Sequence, residues 1–276
     1  MKLSYTVATP DVKDDKILCL RGDLEKNLKE LALAGYRGVE FMVRDVAELD
    51  RNEISDLCRN YNLEIAAIST GQLTFEDGLT ISHLERASCQ QAVTRTKEII
   101  DFTSDVGCGI LNIGTLRGNL PAEEKARIIA VEHAVESMAE ILDYAESKGL
   151  VVAFEPQCRY VVNWHNTLRD TLAWMDQFEN KNFQILFDVY HTLIEEASII
   201  ASLIKNIDRI AHIQFSDTNR LAPGRGQLNF AEIIRVLRAL HYSGFVSVEI
   251  KQFPEGAFAA KQAAKYLLPY MEENDW

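Results

Sequence analysis

Four short apolar runs in the second half of the chain each end on a polar residue that offers an oxygen ligand. VVAFE ends on Glu155, QILFD on Asp188, IAHIQ on Gln214 and FVSVE on Glu249. Each run is long enough for one buried strand and too short for a helix, and buried parallel strands have such continuous apolar runs. A polar residue at the end of a buried strand costs free energy unless it has a partner. The pattern therefore predicts strand ends that meet at a shared site.

Apolar runs alternate with amphipathic segments along the whole chain. Strands are predicted at residues 3–7, 38–42, 63–68, 110–113, 151–156, 184–188, 210–214 and 245–249. Helices are predicted at residues 24–34, 51–61, 83–106, 121–148, 167–178, 193–204, 230–240 and 257–271. This alternation predicts an α/β fold, a single (β/α)8 TIM barrel that spans residues 1–276 as one domain. A doubly wound open sheet is the alternative, but it does not bring four successive strand ends together as easily.

Local signals place some boundaries and one unusual connection. Asp23 is a predicted N-cap, Gly35 a predicted helix stop, and Pro121 suits the first turn of a helix. Residues 69–82 form a longer connection than usual, and long loops in compact domains are often functional or mobile. We expect this connection to act as a lid over the site.

Composition and charge narrow the classes of partner. The chain is 47% apolar and 25% charged, which is ordinary for a soluble globular protein, and its net charge of −12 argues against nucleic-acid binding. The start MKLSYTV is too short and polar for a signal peptide, and no run reaches the roughly 20 apolar residues of a membrane span. The five cysteines show no paired spacing, so free thiols are expected. We predict a cytoplasmic protein without membrane or nucleic-acid partners.

The four strand-end residues form a predicted metal site. Three carboxylates and one amide oxygen at one barrel mouth suit a hard divalent cation, Mn²⁺, Mg²⁺ or Co²⁺, with Zn²⁺ as a further alternative. Any one of Glu155, Asp188 or Glu249 could equally be a helix cap or a salt-bridge partner. Their matching places in successive βα units, together with Gln214, favour the metal interpretation.

Other polar and aromatic residues lie close to these strand ends in sequence. His191 follows Asp188 by three residues and is either a loop histidine or a contact to a substrate hydroxyl. His212 lies on the same strand face as Gln214, and a hydrogen-bonded core histidine is favoured over a ligand. Arg220 could neutralise a substrate oxygen anion.

The weaker candidates are Arg117, Trp164, Tyr160 and Glu40. Trp164 and Tyr160 follow Glu155 and could stack on a substrate ring, although packing is the more frequent role of a single aromatic residue. Arg117 and Trp164 are retained, with His191 and Arg220, as predicted substrate-binding residues.

Several of these motifs together carry a family resemblance. The EP of VVAFEP, the DxxH of FDVYH, HIQFSDTNR, PGRGQLNF and the late VEI resemble the xylose isomerase-like superfamily of TIM barrels. Within it, the chain is similar to the sugar isomerase and epimerase branch, which includes ketose 3-epimerases, hydroxypyruvate isomerases and inosose-processing enzymes. The resemblance extends from GYRGVEF to the last helix. It implies metal ligands at the four strand ends and substrate contacts at His191 and Arg220. Dimers and tetramers are frequent in that family, so a homo-oligomer is compatible with the resemblance, but the sequence does not determine the oligomeric state.

Two positions differ from the ketose 3-epimerases. Those enzymes usually have histidine at the place of Gln214, whereas hydroxypyruvate isomerase-like members have glutamine. They also have a second glutamate at the place of Val161. The related nucleases that cut at abasic sites need more histidines than the six in this chain.

The resemblance implies a divalent-metal-dependent isomerase or epimerase of a small sugar or polyol ketone. Glu155 or Glu249 would remove a proton next to the substrate carbonyl to form an enediolate, and either could return it. Return on the opposite face gives epimerisation, and return to the neighbouring carbon gives isomerisation. Two alternatives stay open, namely an inosose-type dehydratase and a non-catalytic sugar-binding protein.

Overall fold

Parallel strands close into a barrel in a computed structural model that describes residues 1–272. Each strand pairs with the next along the chain, and the last strand pairs with the first. The strands are β1 (Lys2–Ala8), β2 (Gly38–Met42), β3 (Glu64–Ser69), β4 (Ile110–Ile113), β5 (Val151–Phe154), β6 (Phe183–Asp188), β7 (Ile210–Phe215) and β8 (Phe245–Val248). The predicted (β/α)8 TIM barrel is therefore confirmed. The prediction of one domain over residues 1–276 extends to residues 273–276, which lie outside the described chain.

Helices connect successive strands. They are α1 (Leu24–Leu33), α2 (Arg51–Asn60), α3 (Gln72–Phe75), α4 (Arg86–Asp105), α5 (Glu124–Ser147), α6 (Leu168–Met175), α7 (Val189–Glu195), α8 (Ile199–Asn206), α9 (Phe230–Ala239) and α10 (Gly256–Glu272). The predicted cap of α1 is confirmed, because the Asp23 carboxylate accepts a hydrogen bond of 2.8 Å from the Lys26 backbone N–H. Gly35 follows this helix with φ +96°, a left-handed conformation that glycine adopts without steric cost.

Two predicted helix boundaries are wrong. Residues 193–204 do not form one helix, because they are divided between α7 and α8. Helix α7 starts directly after β6, where the Asp188 carboxylate accepts a hydrogen bond from the Tyr190 N–H at 2.7 Å. Ser198 then caps α8 separately. Pro121 lies outside α5, because the Glu123 carboxylate accepts from two backbone N–H groups and starts the helix there.

The long connection of residues 69–82 is partly helical. It contains α3, which the alternation of apolar and polar positions did not predict. The Glu76 carboxylate just after α3 accepts from the backbone N–H groups of Lys13 and Asp14, so the connections after β1 and β3 are joined to each other. This arrangement gives a candidate lid one fixed attachment to the neighbouring loop.

The strand register aligns the polar strand ends. Asp188 of β6 pairs with Gln214 of β7, and Gln214 pairs with Ser247 of β8. The described cysteines are all buried free thiols, as expected. Among residues 1–272, no helix combines the length and apolar character needed to span a membrane.

Candidate functional site

A cavity of about 380 Å³ lies at the C-terminal ends of the strands. Its polar lining includes the buried residues Glu155, His191, Gln214 and Arg220 and the half-buried Glu249. Its apolar lining includes Ile17, Leu18, Met42, Phe75, Val161 and Leu186. Phe75 is 62% exposed, which is unusual for a large apolar side chain unless a ligand or another surface covers it. The cavity thus combines buried charged groups with a partly exposed apolar wall, as binding sites for small molecules do.

Side-chain atoms that can bind a metal ion, here called ligand-type atoms, lie close together at one place in this cavity. One atom each of Glu155, Asp188 and His191 lies within 4.8 Å of the others, and all three side chains are buried. His191 Nε2 is 3.5 Å from Glu155 Oε1 and 3.7 Å from Asp188 Oδ2. The backbone N–H of Cys158 donates to His191 Nδ1 at 3.3 Å, so β5 and the start of α7 are connected here. The C-terminal ends of the neighbouring strands β5 and β6 therefore meet in this cavity.

Arg220 joins the carboxylates of β6 and the end of β8. Its Nη1 donates to Asp188 Oδ2 at 2.7 Å and to Glu249 Oε2 at 3.0 Å, and its Nη2 is 2.9 Å from His191 Nε2. The Arg220 guanidinium carbon lies 4.3 Å from the centre of the Tyr190 ring, a cation–π contact. Arg220 itself has φ +60°, so the loop after β7 must be held firmly to keep it in place.

Asp217 holds that loop. Its carboxylate accepts hydrogen bonds from the backbone N–H groups of Thr218, Gly224 and Leu228. A side-chain carbon at Gly226 would overlap the same carboxylate, so a residue without a side chain is needed at this position. The PGRG segment is therefore a constrained loop that aims Arg220 at the carboxylates.

Crowding of buried negative charge changes the protonation of the site. Burial, with the charges of Glu249 and Asp188, raises the pKa of Glu155 well above its ordinary value. Burial also raises the pKa of Glu249 to about 8, although Arg220 opposes this change. Burial lowers the pKa of His191 to about 4, so its imidazole is neutral near pH 7. Burial disfavours the charged form of Arg220, but the surrounding carboxylates outweigh it and raise the pKa.

Gln214 contributes an oxygen without a hydrogen-bond partner in the described chain. Its Nε2 donates to Glu40 Oε1 at 2.8 Å, while its buried Oε1 has no partner. A buried amide oxygen is normally hydrogen-bonded or bound to another group. Its place in a cavity with Glu155 and Glu249, whose pKa values are raised, fits a divalent cation, which would both bind the oxygen and offset the repulsion between the carboxylates. The residues present therefore fit the metal that was predicted.

The structure brings most of the predicted site residues together. Glu155, Gln214 and Glu249 line the cavity with His191 and Arg220, and Asp188 joins them through its contact with Arg220. One atom of His191, which was predicted to contact substrate, also lies among the ligand-type atoms.

Arg117 and Trp164 are not among the described residues that line the cavity. Arg117 is fully buried, lies 4.1 Å from the centre of the Phe154 ring, and donates to the His165 carbonyl at 3.1 Å. Burial lowers its pKa to about 9, and the charge of Glu155 opposes this. Trp164 donates from Nε1 to the Gly118 carbonyl at 2.8 Å. Their predicted substrate contacts stay predictions, and the geometry favours support of the loops behind Glu155.

Three residues of the site were missed or underrated from the sequence. Gln157 donates from Nε2 to Glu155 Oε2 at 2.7 Å, and its place two residues after that strand end was the available signal. Glu40 was a weak candidate, although a carboxylate inside the wholly buried strand GVEFM was itself a signal. Phe75 had no signal, because its exposure at the cavity depends on how the long connection folds.

Comparison with known proteins gives a consistent set of similarities. A sequence model described as xylose isomerase-like TIM barrel matches residues 28–270. The chain is 26% identical to an L-ribulose 3-epimerase of Methylomonas sp. (strain DH-1) over 81% of this chain and 77% of that protein. It is 35% identical to the 3-dehydro-D-guloside 4-epimerase of Escherichia coli (strain K12) over 41% of this chain and 44% of that protein.

The same fold recurs in solved structures. The structure of D-psicose 3-epimerase with D-tagatose from Clostridium cellulolyticum H10 aligns with a TM-score of 0.80 at 17% identity. The alignment covers 99% of this chain and 100% of that chain. At this level of identity the similarity supports the barrel fold.

Proposed function

Because the chain belongs to the xylose isomerase-like TIM barrel family, we propose that it is a divalent-metal-dependent epimerase or isomerase of a small sugar or polyol ketone. Its relatives show that it is an enzyme of the isomerase and epimerase class. The observation that carries the proposal is the convergence of buried ligand atoms from Glu155, Asp188 and His191 in a cavity that Gln214 and Glu249 also line.

The residues proposed to hold the cation are Glu155, Asp188, Gln214 and Glu249. Their donor atoms are oxygens, which suit Mn²⁺, Mg²⁺ or Co²⁺ better than a metal that prefers sulfur ligands. When bound there, such a cation would polarise the substrate carbonyl and stabilise negative charge on its oxygen.

The proton transfer is assigned to Glu155 and Glu249. Both carboxyl groups line the cavity, and a bound cation would keep them ionised, the form that can accept a proton from a substrate. One of them removes the proton on the carbon next to the carbonyl, and an enediolate forms. Two glutamates on opposite faces of that carbon give epimerisation, and one glutamate that serves both neighbouring carbons gives isomerisation.

His191 and Arg220 position the substrate. The neutral imidazole of His191 can bind a substrate hydroxyl, and the Arg220 guanidinium can bind an oxygen that gains negative charge. The apolar wall that includes Phe75 and Val161 is proposed to contact the carbon chain away from the carbonyl and to exclude water.

The proposal is tested by turnover of a substrate panel. The protein is loaded with Mn²⁺ and incubated with ketoses, hydroxypyruvate and inososes, and the products are identified by NMR. We expect a stereoisomer or an aldose–ketose isomer of one panel member, with no product in the presence of a chelator. Loss of water from an inosose would instead assign a dehydratase. Equal turnover with and without chelator would overturn the metal-dependent mechanism.

Mn²⁺ affinity is expected to rise with pH. Below its pKa of about 8, Glu249 holds a proton that the cation must displace, and the raised pKa of Glu155 adds to this requirement. The expected gain is about tenfold in affinity per pH unit for each displaced proton. Calorimetric titrations between about pH 6 and pH 8, in buffers with different ionisation enthalpies, count the released protons. An affinity that stays constant over this range would contradict the assigned ligands.

Phe75→Ala is expected to weaken substrate binding without affecting the chemistry. Phe75 lines the cavity but lies on α3, apart from the ionic groups, so its contact is the same in the ground state and the transition state. We expect a KM roughly 5- to 30-fold higher, corresponding to about 1–2 kcal/mol of lost apolar contact, with kcat nearly unchanged. The matched control is Phe258→Ala, an exposed phenylalanine on α10. A large fall in kcat with unchanged KM would contradict this assignment.

A further inference from the structure

Glu40 is a buried carboxylate that the proposed reaction does not use. It lies in the middle of β2, it is fully buried, and it is not among the described residues that line the cavity. A carboxylate in the barrel interior is costly unless it is fully hydrogen-bonded. The contacts of Glu40 therefore indicate what it does.

The Glu40 carboxylate collects donors from several strands. Its Oε1 accepts from Ser69 Oγ at 2.7 Å, from Asn112 Nδ2 at 2.6 Å and from Gln214 Nε2 at 2.8 Å. Its Oε2 is 2.9 Å from His212 Nε2, which agrees with the favoured interpretation of His212 as a hydrogen-bonded core histidine. Strands β3, β4 and β7 thus hold the carboxylate in one position.

This carboxylate determines how the Gln214 amide is oriented. An ionised carboxylate can only accept hydrogen bonds, so the amide of Gln214 must turn its NH₂ group toward Glu40. The opposite orientation would place two buried oxygens against each other. The carbonyl oxygen of Gln214 is consequently the atom left for the cavity, and it has no partner within residues 1–272.

We propose that Glu40 is a positioning residue that fixes the Gln214 amide so that its Oε1 faces a divalent cation. This inference rests on the proposed function, since it takes Gln214 as a ligand. Groups that hydrogen-bond to a metal ligand, without binding the metal themselves, typically contribute about 10- to 100-fold to metal affinity. Glu40 acts through Gln214 and is itself not among the described residues that line the cavity.

Two conservative variants separate the position of the carboxylate from its charge. Glu40→Asp keeps the charge but shortens the side chain by one methylene group, so that the acceptor oxygen lies farther from the Gln214 amide. Glu40→Gln removes the charge but keeps an acceptor oxygen of the same reach. We expect Glu40→Asp to weaken Mn²⁺ binding by about 10- to 100-fold, measured by isothermal titration calorimetry, and Glu40→Gln to weaken it less. The reverse order would show that charge, not position, is what Glu40 supplies, and would overturn the proposal.

A double-mutant cycle tests whether Glu40 acts through Gln214. In a Gln214→Ala background, Glu40→Asp is expected to have no further effect on Mn²⁺ affinity, because the oriented atom is already absent. An undiminished effect in that background would overturn the proposal. The control is Ser4→Ala, which removes a buried hydroxyl on β1 that is bonded to Ser247 Oγ, 2.7 Å away, and not to Glu40 or Gln214. We expect wild-type affinity in this control.

The outcomes for the two proposals are distinguishable. If the wild-type protein binds no divalent cation, the proposed function fails. If the wild type binds Mn²⁺ and Glu40→Asp binds it equally well, only the positioning role of Glu40 fails. Thermal unfolding of each variant verifies that affinity is compared between folded proteins.

Discussion

Glu249→Gln is expected to lower kcat by roughly 100- to 10,000-fold, the range that a positioned general acid–base group contributes. Glutamine keeps the shape of the side chain and can still accept the 3.0 Å hydrogen bond from Arg220 Nη1. It cannot take a proton from the substrate carbon. The assay is run with the substrate identified in the panel, at Mn²⁺ concentrations that saturate the variant, so that loss of proton transfer is measured separately from loss of metal.

The control for this variant is Glu255→Gln. Glu255 is an exposed residue just before α10, and the same chemical change there is expected to leave kcat unaffected. A Glu249→Gln protein that holds metal and keeps kcat within about tenfold of wild type would contradict a role in proton transfer.

Gly114→Ala is expected to lower kcat by about 100-fold while the protein stays folded. A side-chain carbon at residue 114 would overlap Glu155 Oε2 and lie 2.8 Å from Gln157 Nε2. The Glu155 carboxylate must therefore move, and a displacement of about 1 Å of a reacting group can cost a factor of 100 in rate. The atoms that must shift are the ends of side chains, so the loss of unfolding free energy is expected to be small.

Gly109→Ala is the matched control for Gly114→Ala. It introduces the same methyl group just before β4, where no heavy atom of residues 1–272, apart from the adjoining residues of the chain, lies within 4 Å of the added carbon. We expect wild-type activity and a similar unfolding temperature. Wild-type activity in Gly114→Ala, with its unfolding temperature unchanged, would show that the position of Glu155 is not critical.

The fold could be predicted because the barrel repeats one simple pattern. Each buried parallel strand is a continuous apolar run, and each helix carries an amphipathic stripe, so eight repeats reinforce one another. The candidate metal-site residues could be predicted from the sequence for the same reason. Residues at the ends of strands keep their places when a barrel closes, and Glu155, Asp188, Gln214 and Glu249 all occupy such places.

The remaining features depend on contacts between residues distant in sequence. The role of Glu40 became clear only when its hydrogen bonds to Asn112 and Gln214 were seen. Arg117 resembled a site residue because it follows a strand, yet packing against Phe154 turns it into the interior. Where a helix begins depends on which side chain caps it, and here Glu123 caps α5 after Pro121 and Asp188 caps α7 before Leu193.

The most direct test of the proposed chemistry is exchange of a substrate hydrogen with solvent. The protein with bound Mg²⁺, which avoids paramagnetic line broadening, is incubated in D₂O with the substrate, and the C–H signals next to the carbonyl are followed by NMR. We expect deuterium at that carbon, with no incorporation when a chelator is present or when Glu155 is replaced by Gln. Conversion of the substrate to an epimer without any solvent deuterium in the product would contradict proton transfer between Glu155 and Glu249, because the second glutamate must deliver a hydrogen taken from solvent.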